Sequence, residues 1–231
     1  MRRVYKAADV LPVEGGYAVA LDGRRVKTPG QRDLVLPTEP LAAAIAEEWN
    51  AQTGEIRPAQ MPLFRLANTA IDRMPPHRDR VVEETANYAG TDLVCYRAAH
   101  PPALAARQHA VWQPLLDWAA GHFDAPLDVA TGVVPRPQPE ASLKSFALAV
   151  AEHDDFALAA LHAATTACGS LVIALALFEG RLDADAAFAA SQLDESHEIE
   201  SWGEDREAAE RRRTLQADIA AAARFHALSR G

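Results

Sequence analysis

Cysteine is nearly absent. Cys95 and Cys168 are the only two in 231 residues, each in an apolar setting, which excludes a disulfide framework or a thiolate zinc site and fits a reducing compartment. Phosphate cradles are missing as well. The chain contains no GxxxxGK[ST] and no GxGxxG, and Gly15-Gly16 and Gly23 fall in strand turns instead, so ATP-driven work has no motif to rest on and no cofactor is expected. There is no GxSxG; Ser170 lies inside an apolar helical run, and Cys168 reads as a small core residue rather than a nucleophile. His197-Glu198 opens like a zincin helix, yet Ser201 and Trp202 occupy the region where the second histidine belongs. Positive charge is short. With 23 Lys and Arg against 32 Asp and Glu, the net charge of −9 repels phosphate backbones, so nucleic acid is not expected as a partner. MRRVYKAADVLPVEGGYAV lacks the continuous apolar core and the cleavage pattern of a secretory signal, and it does not read as a transit peptide.

What is present is ordinary globular composition, 49% hydrophobic and 24% charged. The uncharged run from Ala157 to Phe178 is long enough for a bilayer, but His162, Thr165, Thr166, Gly169 and Ser170 fill its middle. Asp154 and Asp155 precede it as helix-start residues and Glu179-Gly180 closes it, so the run predicts a single helix buried in a bundle and no membrane insertion.

The first forty residues alternate like strands. Tyr17, Val19 and Leu21 alternate with Ala18 and Ala20, Asp22-Gly23 supplies hairpin turn chemistry, and Val26 and Leu34 to Leu36 follow, which predicts an antiparallel sheet. Thr38 caps a helix that carries Leu41, Ala44, Ile45 and Trp49 and stops at Gly54. Helices are read at 63–74 and 77–89, with Pro75-Pro76 forcing a break between them. Leu93 to Tyr96 is a short β-type run that could return to the sheet. From Pro101 the period is helical: Leu104, Gln108, Val111, Trp112, Leu115 and Ala119 form one stripe, Leu143, Phe146, Ala147 and Val150 another, Leu215, Ile219, Ala222 and His226 the last. A stiff, extended link is predicted over 133–140. The fold class is therefore α+β: a small mixed α/β N-terminal domain with an antiparallel sheet over 1–98, and an all-α helical bundle over 99–231. Trp49, Trp112 and Trp118 sit on apolar stripes and are assigned to the core.

Two clusters carry candidate chemistry. His153, Asp154, Asp155 and His162 could converge as metal ligands of a hydrolase; the plainer reading makes the aspartates helix caps and the histidines satisfied polar residues. The second is the acid-rich run around Trp202 and Gly203. Taken as one helix over 183–202, it points Leu182, Ala186, Ala189, Leu193 and His197 to the core and Asp194, Glu198 and Ser201 to solvent. Glu195 lies in a line with Phe188, Gln192, Ile199 and Trp202. A carboxylate so placed is buried with a donor, a general acid, or a charge anchor at the edge of a sticky surface; with no second catalytic carboxylate in place the anchor is preferred, and the plainer reading pairs it with one of Arg211 to Arg213.

DGRRVKTPG, LPTEPLAAAIAEEWNAQ, MPLFRLANTAID, TDLVCYRA with the following PPAL and QHAVWQPLLDW, the GSLVIALAL helix and LDESHEIESWGED occur in order along nearly the whole chain. Together they resemble the assembly chaperones for the alpha subunit of the F1 sector of F-type ATP synthase. The resemblance implies a protein that is not an enzyme and needs no ATP: it binds the free alpha subunit, shields the surface later presented to the beta subunit, and is a monomer when free. It also implies an important acid in the segment matching LDExxQxxxWG, which falls on Asp194 or Glu195; Glu198 stands where the family usually has glutamine. The partner-binding residues expected are Asp194, Glu195, Glu198, Ile199 and Trp202. Mitochondrial relatives carry a targeting extension, and the start of this sequence points to a bacterial cytoplasm.

Overall fold

The computed structural model describes residues 2–132 and 136–231. Two compact units account for them: residues 1–78 with 154–160 and 224–231, and residues 79–153 with 161–223. The sequence places its boundary at residue 98; the units part earlier, at 78/79, and the first also takes in two short helical segments from later in the chain. Of the link expected over 133–140, residues 133–135 lie outside the described residues.

In the first unit, β1 (Ala8–Val13) pairs with β2 (Gly16–Leu21) from Ala8 opposite Leu21 to Val13 opposite Gly16. Tight turns follow because Gly15 and Gly23 take positive φ, which costs a residue without Cβ nothing. β3 (Arg24–Arg25) and β4 (Val35–Leu36) pair with the other edge of β2. Ala18, Val19 and Ala20 are buried in succession, so both faces of β2 are covered at its middle, while Tyr17 and Leu21 are half-buried; Leu34 and Leu36 are buried as well. The loop after β3 is tied by Asp72, whose carboxylate accepts the Thr28 hydroxyl at 2.7 Å and the Gly30 N–H at 2.8 Å.

α1 (Glu39–Asn50) starts at Thr38, whose hydroxyl oxygen accepts the Leu41 N–H, and buries Leu41, Ala44, Ile45 and Trp49. α2 (Pro62–Asn68) borrows its cap from α1: the Glu48 carboxylate accepts the Leu63 and Phe64 N–H groups at 2.8 and 2.9 Å. A π-helical turn, Thr69–Arg73, leads directly into α3 (Met74–Ala86). The break expected at Pro75-Pro76 falls at His77, which leaves helical geometry at φ −131°, so Met74–Ala86 is two helical pieces joined across a kink just after the prolines. The remaining pieces of the first unit close on one another: Thr38 Oγ1 donates to the Leu228 carbonyl at 2.5 Å, Arg78 pairs with Asp155 at 2.6 Å, and Phe156 stacks on Phe225.

In the second unit, Leu93–Cys95 forms a 3-10 turn capped by Asp92. The β-type run does not return to the first sheet. Instead β5 (Tyr96–Arg97) pairs in parallel with β6 (Ala130–Thr131). α4 (Pro102–Phe123) buries Leu104, Gln108, Trp112, Leu115, Leu116 and Ala119, while Val111 is exposed and Trp118 only half-buried. α5 (Glu140–Ala151) buries Phe146 and Val150.

The apolar run expected to be one helix is two. α6 (Asp155–Cys168) and α7 (Leu171–Phe178) are separated by Gly169, at φ +63°, and Ser170, whose hydroxyl oxygen accepts the Ile173 N–H at 3.0 Å. All eight α7 residues are buried, so α7 is the core of this unit. No helix among the described residues is long and apolar enough to cross a membrane.

Candidate functional site

The acidic segment also divides. α8 (Ala184–Ser191) begins at Asp183, whose carboxylate accepts the Ala186 N–H at 2.8 Å, and α9 (Leu193–Trp202) follows after Gln192 leaves helical geometry. The expected core stripe is displaced by this break: Ala187, Ala190, Ser191 and Leu193 are buried, Ala189 is exposed, and Leu182, Ala186 and His197 are intermediate. α9 ends where Gly203 turns to φ +82°. α10 (Arg206–Ser229) then starts at Asp205, which accepts the Ala208 N–H at 2.8 Å.

Groups from α4 and α10 hold this segment. Trp112 Nε1 donates to the Ala190 carbonyl at 2.9 Å, and Gln108 Nε2 donates to Asp194 Oδ1 at 2.7 Å. Arg107 grips both oxygens of Glu200 at 2.7 and 3.0 Å, a bond that holds the Glu200 carboxyl below its usual range. Arg212 donates to the Ser196 hydroxyl, pairs with Glu204 at 3.2 Å and lies over the Phe188 ring. Arg211 and Arg212 belong to the cluster named from the sequence. Arg107 gave no signal there, because nothing in a helical stripe says which exposed arginine faces a distant helix.

These bonds sort the expected site residues. Asp194 is turned to Gln108. Glu195 pairs with Arg211 at 2.8 Å, the ion pair that the sequence held as the alternative to an anchor. Glu198 is exposed, with no hydrogen bond or ion pair among the described residues. Residues three and four apart on a helix share a face, so Glu195, Glu198, Ile199 and Trp202 form one stripe. Trp202 ends that stripe with 89% of its surface exposed. The arrangement offers an indole, a half-buried isoleucine and carboxylates at the rim, which suits binding of another chain.

The other cluster does not assemble. Asp154 accepts the Ala157 N–H at 2.8 Å as a helix cap, and Asp155 is committed to Arg78. His153 Nδ1 lies 3.0 Å from the Ala149 carbonyl oxygen, and His162 Nδ1 lies 2.9 Å from the Thr85 hydroxyl, with burial pushing the imidazole below its usual pKa. Among the described residues no three His, Cys, Asp or Glu are grouped to hold a metal, so the alternative hydrolase has no ligand set. Cys95 and Cys168 are buried free thiols, pushed up to about 12 by desolvation, far from a nucleophile's range.

A family model for the ATP12 chaperone protein matches residues 2–120. The crystal structure of Atp12 from Paracoccus denitrificans is 44% identical with a TM-score of 0.93, covering 99% of this chain and 98% of that one. An aspartate-to-lysine variant of the P. denitrificans protein gives the same score and identity over 99% and 97%. A structure from Agrobacterium tumefaciens is 41% identical, with a TM-score of 0.94 over 98% and 85%. The mitochondrial protein atp12 of Schizosaccharomyces pombe is 22% identical over 214 residues, 87% of this chain and 74% of that protein. The chain belongs to the ATP12 chaperone family, the F1-ATPase assembly chaperones that its sequence blocks resemble.

Proposed function

We propose that this chain is an ATP-independent assembly chaperone that binds the free alpha subunit of F1-ATPase and shields its subunit interface until F1 assembles. It makes and breaks no covalent bond, works in a bacterial cytoplasm, and is a monomer when free. The contact surface is the stripe of Glu195, Glu198, Ile199 and Trp202, with Asp194 beside it.

The observation that carries this reading is the exposure of Trp202. An indole left in water forgoes roughly 1.5–3 kcal/mol available to a large apolar side chain on burial. That gain stays in reserve for a partner. The carboxylates beside the ring, in a chain of net charge −9, keep the free protein soluble while the ring is uncovered. Release needs no nucleotide: a beta subunit that covers the same client surface more extensively displaces the chaperone by mass action.

The test is co-purification with isolated alpha subunit, with beta subunit added as competitor. The wild-type chain retains alpha, beta releases it, and Trp202→Ala weakens retention. A wild-type chain that ignores free alpha overturns the proposal.

A further inference from the structure

The first unit contains a cavity of about 590 Å³ between residues 2–5 and the segment that carries β3. Its floor is apolar, built by Tyr5, Trp49 and Ile56, and Val4 at its wall is 89% exposed. Charge at the rim runs opposite to that of the whole chain. Arg2, Arg24 and Arg25 line the opening, all exposed, and their side chains make no hydrogen bond or ion pair among the described residues. Most arginines of the second unit differ: Arg80, Arg107, Arg206, Arg211 and Arg212 each hold a carboxylate. Among the described residues that line the cavity one acid occurs, and its oxygens are engaged by backbone. Asp22 accepts the Lys6 and Ala7 N–H groups, which hold its carboxyl below the usual range. Lys27 is paired with Asp33 at 3.8 Å.

A cationic mouth over an apolar floor selects an anion with an apolar body. A small inorganic anion meets the mouth and leaves the floor wet, whereas about 590 Å³ matches the size of sites that take a side chain or a drug-sized ligand. The backbone favours a peptide. Among the described residues the two-residue β3 has β2 on one side and no strand on the other, the Lys27–Asp33 bridge lying just beyond it, and an open edge of that kind receives an extended chain through main-chain hydrogen bonds.

We propose that this cavity is a docking site for an extended acidic peptide segment carrying one large apolar side chain. The apolar side chain fills the floor of Tyr5, Trp49 and Ile56, and carboxylates on either side of it meet Arg2, Arg24 and Arg25. The site is separate from the α9 stripe and does not rest on the reading of that stripe.

The test uses the full chain and a fluorescein-labelled peptide of glutamates flanking one phenylalanine, followed by anisotropy at low salt. Binding is saturable and weakens on adding salt. It falls by about tenfold or more when Arg24→Glu and Arg25→Glu are combined, when glutamine replaces glutamate in the peptide, or when alanine replaces phenylalanine. Arg2→Glu, at an exposed site near the chain start, repeats the loss if the double variant melts early. Trp202→Ala binds the peptide as wild type does, which separates this site from the chaperone surface. No binding by the wild type, equal binding of the glutamine peptide, or complete displacement by phenylacetate at equal concentration overturns the proposal.

Discussion

Asp92 and Val172 meet across 80 positions of chain: the Asp92 Oδ2 accepts the Val172 N–H at 3.0 Å, and Oδ1 accepts the Val94 N–H at 3.2 Å. One buried carboxylate thus caps the start of the 3-10 turn Leu93–Cys95 and the first turn of the central helix α7. Burial pushes its pKa up to about 6, while bonds from Ser170, Val172, Val94 and Leu171 pull the other way. Asn at position 92 turns an N–H group toward a donor it cannot satisfy. Asp92→Asn therefore costs about 1–3 kcal/mol at neutral pH in urea unfolding. The pH dependence has a sign. The folded pKa of about 6 lies above the ordinary 3.8, so between the two the folded chain keeps a proton that the unfolded chain has lost. Stability from Asp92 is greatest below about pH 4 and falls as pH rises through 6, and the wild-type advantage over the Asn variant grows toward acid by up to about 3 kcal/mol. His162 titrates in both proteins and cancels. An advantage that stays flat from pH 4 to 7 contradicts the assignment.

Gly169 breaks the apolar run by taking φ +63°, and a Cβ there meets nothing within 4 Å. The cost of a side chain is therefore backbone strain alone. Gly169→Ala destabilises by about 1–2 kcal/mol, and Ser170→Ala, which removes the cap of α7, by about 1 kcal/mol. Denaturant titration measures both; a neutral Gly169→Ala contradicts the left-handed turn.

Cys95 and Cys168 are buried, and desolvation holds both thiols near 12. At pH 8 almost no thiolate is present in the folded chain. A chromogenic disulfide reagent should label neither residue within the time that it labels both in denaturant. Rapid labelling of the native protein contradicts the burial.

The β1–β2 hairpin region, the Thr38 cap and the helical bundle were legible because their causes are local: alternation, a glycine at positive φ, a hydroxyl before an apolar stripe. The break between α8 and α9 was not. Ser191-Gln192-Leu193 contains no glycine or proline, and the cause lies on α4, where Trp112 Nε1 takes the Ala190 carbonyl that an unbroken helix gives to the N–H of residue 194. That single tertiary bond rotated the predicted faces, moving Ala189 out and Ala190 in. Likewise, Leu93 to Cys95 have the composition of a strand, but the Asp92 cap winds them into a turn. For the site, Gly203 announced the end of α9, while the partners Gln108 and Arg107 lie on α4, beyond the reach of helical periodicity.

Glu195, Trp202 and Asp194 lie within one short helix, yet their variants are expected to fail differently. In the Glu195–Arg211 pair the arginine is exposed and the glutamate half-buried, and ion pairs at a surface are worth about 0.2–1 kcal/mol. Glu195→Lys should therefore leave circular dichroism and melting nearly unchanged, and Trp202→Ala, which removes a ring already in solvent, should do the same. Both should weaken capture of free alpha subunit, because a binding surface loses its rim charge or its anchor. Asp194→Ala is a different lesion. It frees Gln108, whose Oε1 also accepts the Ala98 N–H at 2.7 Å, and leaves a buried amide short of a partner at a cost of about 1–3 kcal/mol. Its melting point should drop whether or not capture changes. The three proteins, measured by thermal melting and by retention of alpha subunit on the same preparations, separate a surface that works by contact from one that only packs. If Glu195→Lys melts as low as Asp194→Ala, Glu195 is a structural ion-pair residue; if Trp202→Ala captures alpha as wild type does, the exposed indole is not the anchor.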